Sequence, residues 1–207
     1  MFNALIIIVL NLVIIGIMAM IIITYVVNPF RQGYRKREKE QKSFRHTIAN
    51  ETSQDERLIA KGVDFEKFIV TKFDRKYFKI HEWRGDKYVQ GVYALSNKNP
   101  DLEIEYSHNG KSRKFAVECK YREGIYDEVI ICKEHKIYDY KNFSKQKRMP
   151  VFIVLGLGGA PSSPMECYVI PIEDVNNEMM NYKRLQNYRK YSVNSNFFFD
   201  LQMLNLR

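Results

Sequence analysis

Cysteine is scarce in this 207-residue chain, with only Cys119, Cys132 and Cys167 present. The number is odd, and no pair has C-x-x-C spacing. That leaves a reduced compartment, with neither structural disulfides nor a structural zinc, as the simple reading. His81, His108 and His135 show no metal-ligand spacing. No Lys or Arg precedes Arg31, and no charged residue of either sign lies between Ala4 and Val27. A cleaved signal peptide needs a basic start, an apolar run of roughly 7–15 residues and a small-x-small cleavage site. The N-terminus lacks the first and third, and its apolar run is too long for the second. Internal repeats are absent as well.

What stands in that uncharged stretch is Ile, Leu, Val and Met, interrupted mainly by Asn11, Thr24 and Tyr25. A helix over residues 4–27 would span about 36 Å, enough for a hydrocarbon core of roughly 30 Å with some tilt. Asn28-Pro29 then closes it, because a proline ring disfavours a helical residue before it. The expectation is a single transmembrane helix. Arg31, Arg35, Lys36, Arg37, Lys39, Lys42 and Arg45 follow in quick succession. The positive-inside rule puts the N-terminus outside and everything after residue 28 on the cytoplasmic side. The same cluster suits anionic lipid headgroups. The net charge of +9 fits either a membrane surface or nucleic acid as partner.

Residues 28–55 read as a basic juxtamembrane linker. From there the apolar residues Leu58, Ile59, Val63, Phe65, Phe68, Ile69 and Phe73 recur at spacings that predict an amphipathic helix, with Gly62 inside it. Residues 77–83 alternate as a strand does, and 87–95 form a second candidate extended piece. Residues 133–147 predict a helix ended by Met149-Pro150, with Ile137, Tyr140 and Phe143 or Ser144 inward. Residues 151–155 predict a buried strand, 156–164 a flexible loop, 167–172 a strand and 172–191 a helix. Gly156-Leu157-Gly158-Gly159 lacks the Lys-Ser/Thr that completes a phosphate loop. The order is that of a mixed α/β domain around a central sheet.

The most informative stretch is 101–120. Two alternating runs flank Asn109-Gly110, a strong signal for a two-residue hairpin turn. With that turn centred, His108 faces Lys111 and, further down the ladder, Asp101 faces Glu118. Leu102, Ile104, Tyr106, Phe115, Val117 and Cys119 fall on one face, which belongs in the core, so Cys119 is expected to be inert. Asp101, Glu103, Glu105, Lys114, Ala116, Glu118 and Lys120 fall on the other. Directly paired residues have Cβ atoms about 4.5–5.5 Å apart. Two facing carboxylates repel unless a cation lies between them, and Mg²⁺ commonly takes one or two carboxylates together with waters and substrate phosphates. With Lys120 on the same face, the set suits phosphodiester hydrolysis: a metal to polarise the phosphate, and an ammonium to orient water or stabilise developing charge.

Pro100-Asp101 and, seventeen positions on, Glu118-Cys119-Lys120 resemble the P-D…(D/E)-x-K signature of the PD-(D/E)XK nuclease superfamily, which includes restriction endonucleases, Mrr-like enzymes and Holliday-junction resolvases. The segment G-V-D-F-E-K-F resembles the first helix of that family. The resemblance spans roughly 58–175. It implies a restriction-endonuclease-like α/β fold, a mixed central sheet flanked by helices, here behind one N-terminal transmembrane helix. It implies that Asp101 and Glu118 are metal ligands for Mg²⁺ (or Mn²⁺), with the Cys119 backbone carbonyl a third. Lys120 would be the catalytic lysine and Glu66 an acidic helper. Lys136 matches a position where relatives place a Gln or Lys facing the site. The expected partners are nucleic acid, with DNA foremost, and the membrane. Many nucleases of this fold cut two strands as dimers, so a homodimer is an open expectation.

The resulting division is a transmembrane helix at 4–27, a linker at 28–55, a nuclease-like domain at 56–175, and a C-terminal helix and tail at 176–207 that packs on the domain. The function expected is that of a membrane-anchored, metal-dependent endonuclease. An inactive nuclease-fold module that binds nucleic acid or a protein at the membrane is the alternative, and a lipid-binding scaffold is a third reading. Glu103, Glu105 and Lys114 are expected to form a solvated sheet face. Tyr182, Lys183, Arg184, Tyr188, Arg189, Lys190 and Tyr191 are read first as solvated helix surface and second as nucleic-acid contacts.

Overall fold

The structure is a computed structural model that describes residues 54–84 and 98–207, with residues 14–18, 20, 21, 23, 24, 28, 39 and 42 of the N-terminal part. The chain divides into two units, residues 1–56 and 57–207. The apolar segment 4–27 and the linker 28–55 lie for the most part outside the described residues, as does the extended piece expected at 87–95. The described residues form no helix long and apolar enough to cross a membrane.

The second unit is a mixed α/β fold with a central, mostly antiparallel sheet flanked by helices. Helix α1 runs through residues 54–70, followed by β1 (Phe78–Trp83), β2 (Leu102–His108), β3 (Lys111–Arg122) and β4 (Glu128–Ile130). Helix α2 (Glu134–Lys147) leads to β5 (Val151–Ala160) and β6 (Ser163–Pro171). The sheet order is β1-β2-β3-β5-β6. Among the described strands only β3 and β5 pair in parallel, with α2 in the crossover between them, as a parallel pair requires. The β2–β3 hairpin has the expected register from Leu102↔Val117 to His108↔Lys111, and the expected Asp101–Glu118 pair lies just beyond this ladder. Asn109 and Gly110 both carry positive φ, 50° and 75°, as a type I′ turn demands.

The sheet has an apolar layer on each side. Phe65 and Ile69 of α1, with Phe73, pack with Leu102, Ile104, Phe115 and Val117 on one face. Ile137, Tyr140 and Phe143 of α2 pack with Ala116, Ile153 and Leu155 on the other. Phe197 and Phe199 complete the first layer while Phe198 stays exposed; Phe199 stacks on Phe115 with ring centroids 4.6 Å apart.

Two expectations fail here. Residues 156–164 are not a flexible loop: β5 continues to Ala160 and turns directly into β6, so Gly156↔Cys167 and Leu157↔Glu166 are ladder pairs. A glycine is needed in that strand for a packing reason, since a Cβ on Gly156 would lie 2.4 Å from the Phe65 ring. Residues 172–191 are not one helix. They form a 3-10 turn (Ile172–Asp174), a short strand β7 (Met179–Asn181) paired with β4, helix α3 (Tyr182–Leu185) and a second 3-10 turn (Gln186–Tyr188). The chain ends in a small hairpin, β8 (Phe199–Asp200) with β9 (Asn205–Leu206).

Strand β3 outruns β2. Pairing with β2 stops at Val117, whereas pairing with β5 continues to Arg122. A cleft opens where β2 ends, and residues of both α1 and α2 reach it.

Candidate active site

Four local decisions build this cleft. The Pro100-Asp101 step precedes β2, and Asp101 is held there from both sides. Its carbonyl accepts the Arg84 N–H at 2.7 Å, and its carboxylate Oδ2 accepts the Cys119 N–H at 2.8 Å. Arg84 also donates its guanidinium to the Pro100 carbonyl at 2.8 Å and pairs with Glu103. The alternation of β3 then turns Phe115, Val117 and Cys119 toward α1, and Ala116, Glu118 and Lys120 the other way. The α2 helix lays Tyr140 and Ile137 against that second face. Finally, α1 passes Glu66 along the rim, where the Trp83 indole N–H donates to its carboxylate at 3.1 Å.

The cleft has a volume of about 550 Å³ and is lined by Glu66, Asp101, Glu118, Lys120, Lys136 and Tyr140 among others. Every side chain singled out by sequence as a candidate therefore opens on one cavity. Lys136 lies over the Tyr140 ring, 5.9 Å from its centroid. Among the described residues no group of three His, Cys, Asp or Glu side chains is close enough to hold a metal by itself. Asp101 and Glu118 both line the cavity, and Glu66 lines it from α1 with its carboxylate accepting the Trp83 indole N–H.

Charge in this cavity is unbalanced. Glu118 is only 2 % exposed. One of its oxygens accepts from the Lys120 ammonium, while its Oε2 is buried without a hydrogen-bond partner among the described residues. Burial pushes the Asp101 carboxyl well above the usual carboxylate range, and the negative charges of Glu118 and Glu66 push the same way, against Lys120 and the Cys119 N–H. Burial works to lower the Lys120 pKa, but the charges of Glu118 and Asp101 and the contact with Glu118 outweigh it, so the ammonium is held above its ordinary value. Lys120 is thus a fixed cation at neutral pH, suited to stabilising charge and unsuited to accepting a proton. Burial, then Glu118, raises the Tyr140 phenol. Burial raises the Cys119 thiol well above its usual value and Cys132 to about 11, so both are inert as thiolates.

An unpartnered buried carboxylate oxygen costs free energy, and a facing carboxylate adds repulsion. A divalent cation relieves both. Two carboxylates and a main-chain carbonyl form a hard-oxygen set of the kind Mg²⁺ or Mn²⁺ accepts with waters completing the shell. The residues present fit such a group.

Other expectations are redistributed. Glu103 is partly buried against Arg84, and Glu105 accepts a contact from His81 at 2.8 Å, so this sheet face is paired and not simply solvated. The basic and aromatic tail residues largely hold the fold. Tyr182 donates to Glu166 at 3.0 Å, Arg189 pairs with Glu166 at 3.0 Å, and Lys190 is buried, donating to the Ser192 carbonyl at 2.7 Å. Arg84, Trp83 and Tyr140 were missed as site residues. The alternation of 77–83 marked a strand, but nothing local gave its partner, so the contacts of its C-terminal end could not be read.

No family model matches the sequence, and no curated protein does. Among solved structures, the chain is similar to Hjc of Archaeoglobus fulgidus, a Holliday junction resolvase from an archaeal hyperthermophile. The match has 14% sequence identity and a TM-score of 0.42, and covers 59% of this chain and 90% of that one.

Proposed function

We propose that the protein is a membrane-anchored, metal-dependent nuclease that hydrolyses phosphodiester bonds, with DNA as substrate. One observation supports the reading: Asp101 and Glu118 line one open cleft, with a buried Glu118 oxygen that has no hydrogen-bond partner among the described residues and the Lys120 ammonium alongside. A divalent cation held by Asp101, Glu118 and the Cys119 carbonyl would neutralise charge at the phosphate and acidify a water.

The chain's own residues do the rest. Lys120, kept cationic by its two carboxylate neighbours, donates to a phosphate oxygen as negative charge builds there. Glu118 fixes the position of that ammonium through their ion pair. Arg84, clamped to the Pro100 carbonyl, fixes the turn that presents Asp101. Tyr140 and Ile137 close the cavity behind Glu118 and keep water from that side. Glu66 adds a carboxylate at the rim. The segment 4–27 supports single-pass anchoring, and the basic cluster at 31–45 supports a cytoplasmic position for the domain. Flotation of the full chain with vesicles, lost on removal of 1–28, checks that part.

The test of activity uses the full chain and its Lys120→Ala variant. Both are incubated with linear, circular, single-stranded and branched DNA, and with RNA, in Mg²⁺, Mn²⁺ or EDTA. The expected result is cleavage in metal only, reduced roughly 10²–10³-fold by the substitution. Cleavage that persists in EDTA, or that Lys120→Ala leaves unchanged, contradicts the proposal. Binding without cleavage moves the function to a module that holds nucleic acid at the membrane.

A further inference from the structure

Helix α1 carries a glycine for which the fold has no use. Gly62 lies within the helix at 54–70, and glycine is the poorest helix former after proline. Where the fold needs glycine for packing, the cause is visible: Gly156 makes room for the Phe65 ring. Among the described residues a Cβ at Gly62 would meet nothing within 4 Å, and the backbone does not have positive φ. Neither conformation nor packing among those residues calls for glycine there. What Gly62 faces is the catalytic cleft.

Of the other α1 residues on that wall, Leu58, Ile59 and Val63 are apolar, while Lys61, paired with Glu123, and Glu66 are charged. Leu58 and Ile59, one turn earlier, are 55% and 37% exposed, and Val63 is half-buried; all three line the cleft. Lys120, Lys136 and Arg122 line the same cavity. The cavity thus offers an apolar, notched wall together with cations and a carboxylate pair. The cations complement phosphates. The apolar wall needs an apolar partner, and a stacked duplex presents little, because its base faces are covered and, thymine methyls apart, polar edges, sugars and phosphates point outward. A base taken out of the stack does.

We propose that the wall formed by Leu58, Ile59, Gly62 and Val63 receives the flat face of an unstacked base, so that the cleft takes single-stranded nucleic acid in preference to duplex. Gly62 is the point of closest approach. This rests on the nuclease reading for where the phosphate lies, and it specifies the substrate of that same cleft.

The experiment measures binding of a labelled oligo-dT and of a duplex of equal length to the full chain by fluorescence anisotropy in Ca²⁺. It is repeated for Gly62→Ala and Gly62→Leu, and the melting temperature of each is recorded. The parent is expected to bind the single strand about tenfold more tightly than the duplex, the scale of one base contact. Both variants are expected to melt higher, since each improves the helix into open space, and yet to bind the single strand progressively less tightly, with a smaller loss of duplex affinity. Equal affinity of the parent for the two forms overturns the proposal, as does a folded Gly62→Leu chain that binds the single strand like the parent. If Gly62→Leu instead abolishes binding to anionic vesicles and spares the oligonucleotide, the wall is a lipid contact and the proposal falls. Cleavage in Mg²⁺ is scored in parallel. A parent that binds the single strand but cuts nothing sinks the nuclease reading and keeps this one; cutting without strand preference does the reverse.

Discussion

The two faces of the central sheet are made by the same strand and differ in kind. Toward α1, β3 sends Phe115, Val117 and Cys119 into a dry layer. There Phe115 stacks on Phe199 at 4.6 Å and 6°, and Phe73 on Phe197 at 4.7 Å. Toward α2, the alternate residues Ala116, Glu118 and Lys120 put a carboxylate beside a largely apolar layer of aliphatic, Met, Cys and aromatic side chains. One face maximises burial. The other retains a carboxylate oxygen without a partner, a cost that folding alone does not explain. Sites that hold a ligand keep such costs, and removing them commonly trades activity for stability.

Truncating the dry face should have the largest effect on the fold. Phe115→Ala is expected to destabilise by about 3–5 kcal/mol, because it removes a fully buried ring from an aromatic stack. Urea denaturation would measure it. A loss under 1 kcal/mol, on the scale of a surface change, would break the contrast between the faces. Gly156→Ala comes next. Its Cβ would overlap the Phe65 ring and push α1 from the sheet, at about 1–3 kcal/mol for an overpacked site. Because α1 also forms the cleft wall, cleavage should fall along with the melting temperature.

The site face should respond in the opposite direction. Asp101 has a folded-state pKa raised by burial first and by Glu118 second. A raised acid pKa means that the folded chain holds the proton better than the unfolded one. Its contribution to stability is therefore favourable at low pH and is lost as pH rises through the raised value. Asp101→Asn, which can still accept the Cys119 N–H, is thus expected to raise the melting temperature in EDTA at neutral pH while abolishing cleavage. A lower melting temperature would show that Asp101 is a structural group. The smallest effect is in pH. Metal binding requires the ionised pair, so metal affinity should begin to fall with acidification above the ordinary carboxylate range, which a metal titration at several pH values would detect.

Legibility in the sequence followed the range of the interactions. The hairpin was readable because Asn109-Gly110 fixes the turn and strict alternation fixes the faces, so the ladder from Leu102↔Val117 to His108↔Lys111 could be set from local pattern alone. Helix α2 was readable from the spacing of Ile137, Tyr140 and Phe143 and its stop at Met149-Pro150. The β5–β6 hairpin was missed because Gly156, Gly158 and Gly159 suggest a loop; what makes Gly156 a strand residue is a phenyl ring from α1, far away in sequence. The 172–191 segment was missed for the same reason, since β7 exists only by pairing with β4 across fifty residues of chain. At the site, the carboxylates and the lysine came from local pattern, whereas Arg84 and Tyr140 reach the cleft, and Trp83 reaches Glu66, only through tertiary packing.

The most direct measurement is a calorimetric titration of the full chain with Mn²⁺ at neutral pH, run beside a folded Asp101→Asn variant. Saturable binding by the parent, accompanied by proton release and lost in the variant, is the result expected if the facing carboxylates are a cation site. A parent that binds no metal, or a variant that binds it as well as the parent does, would contradict it.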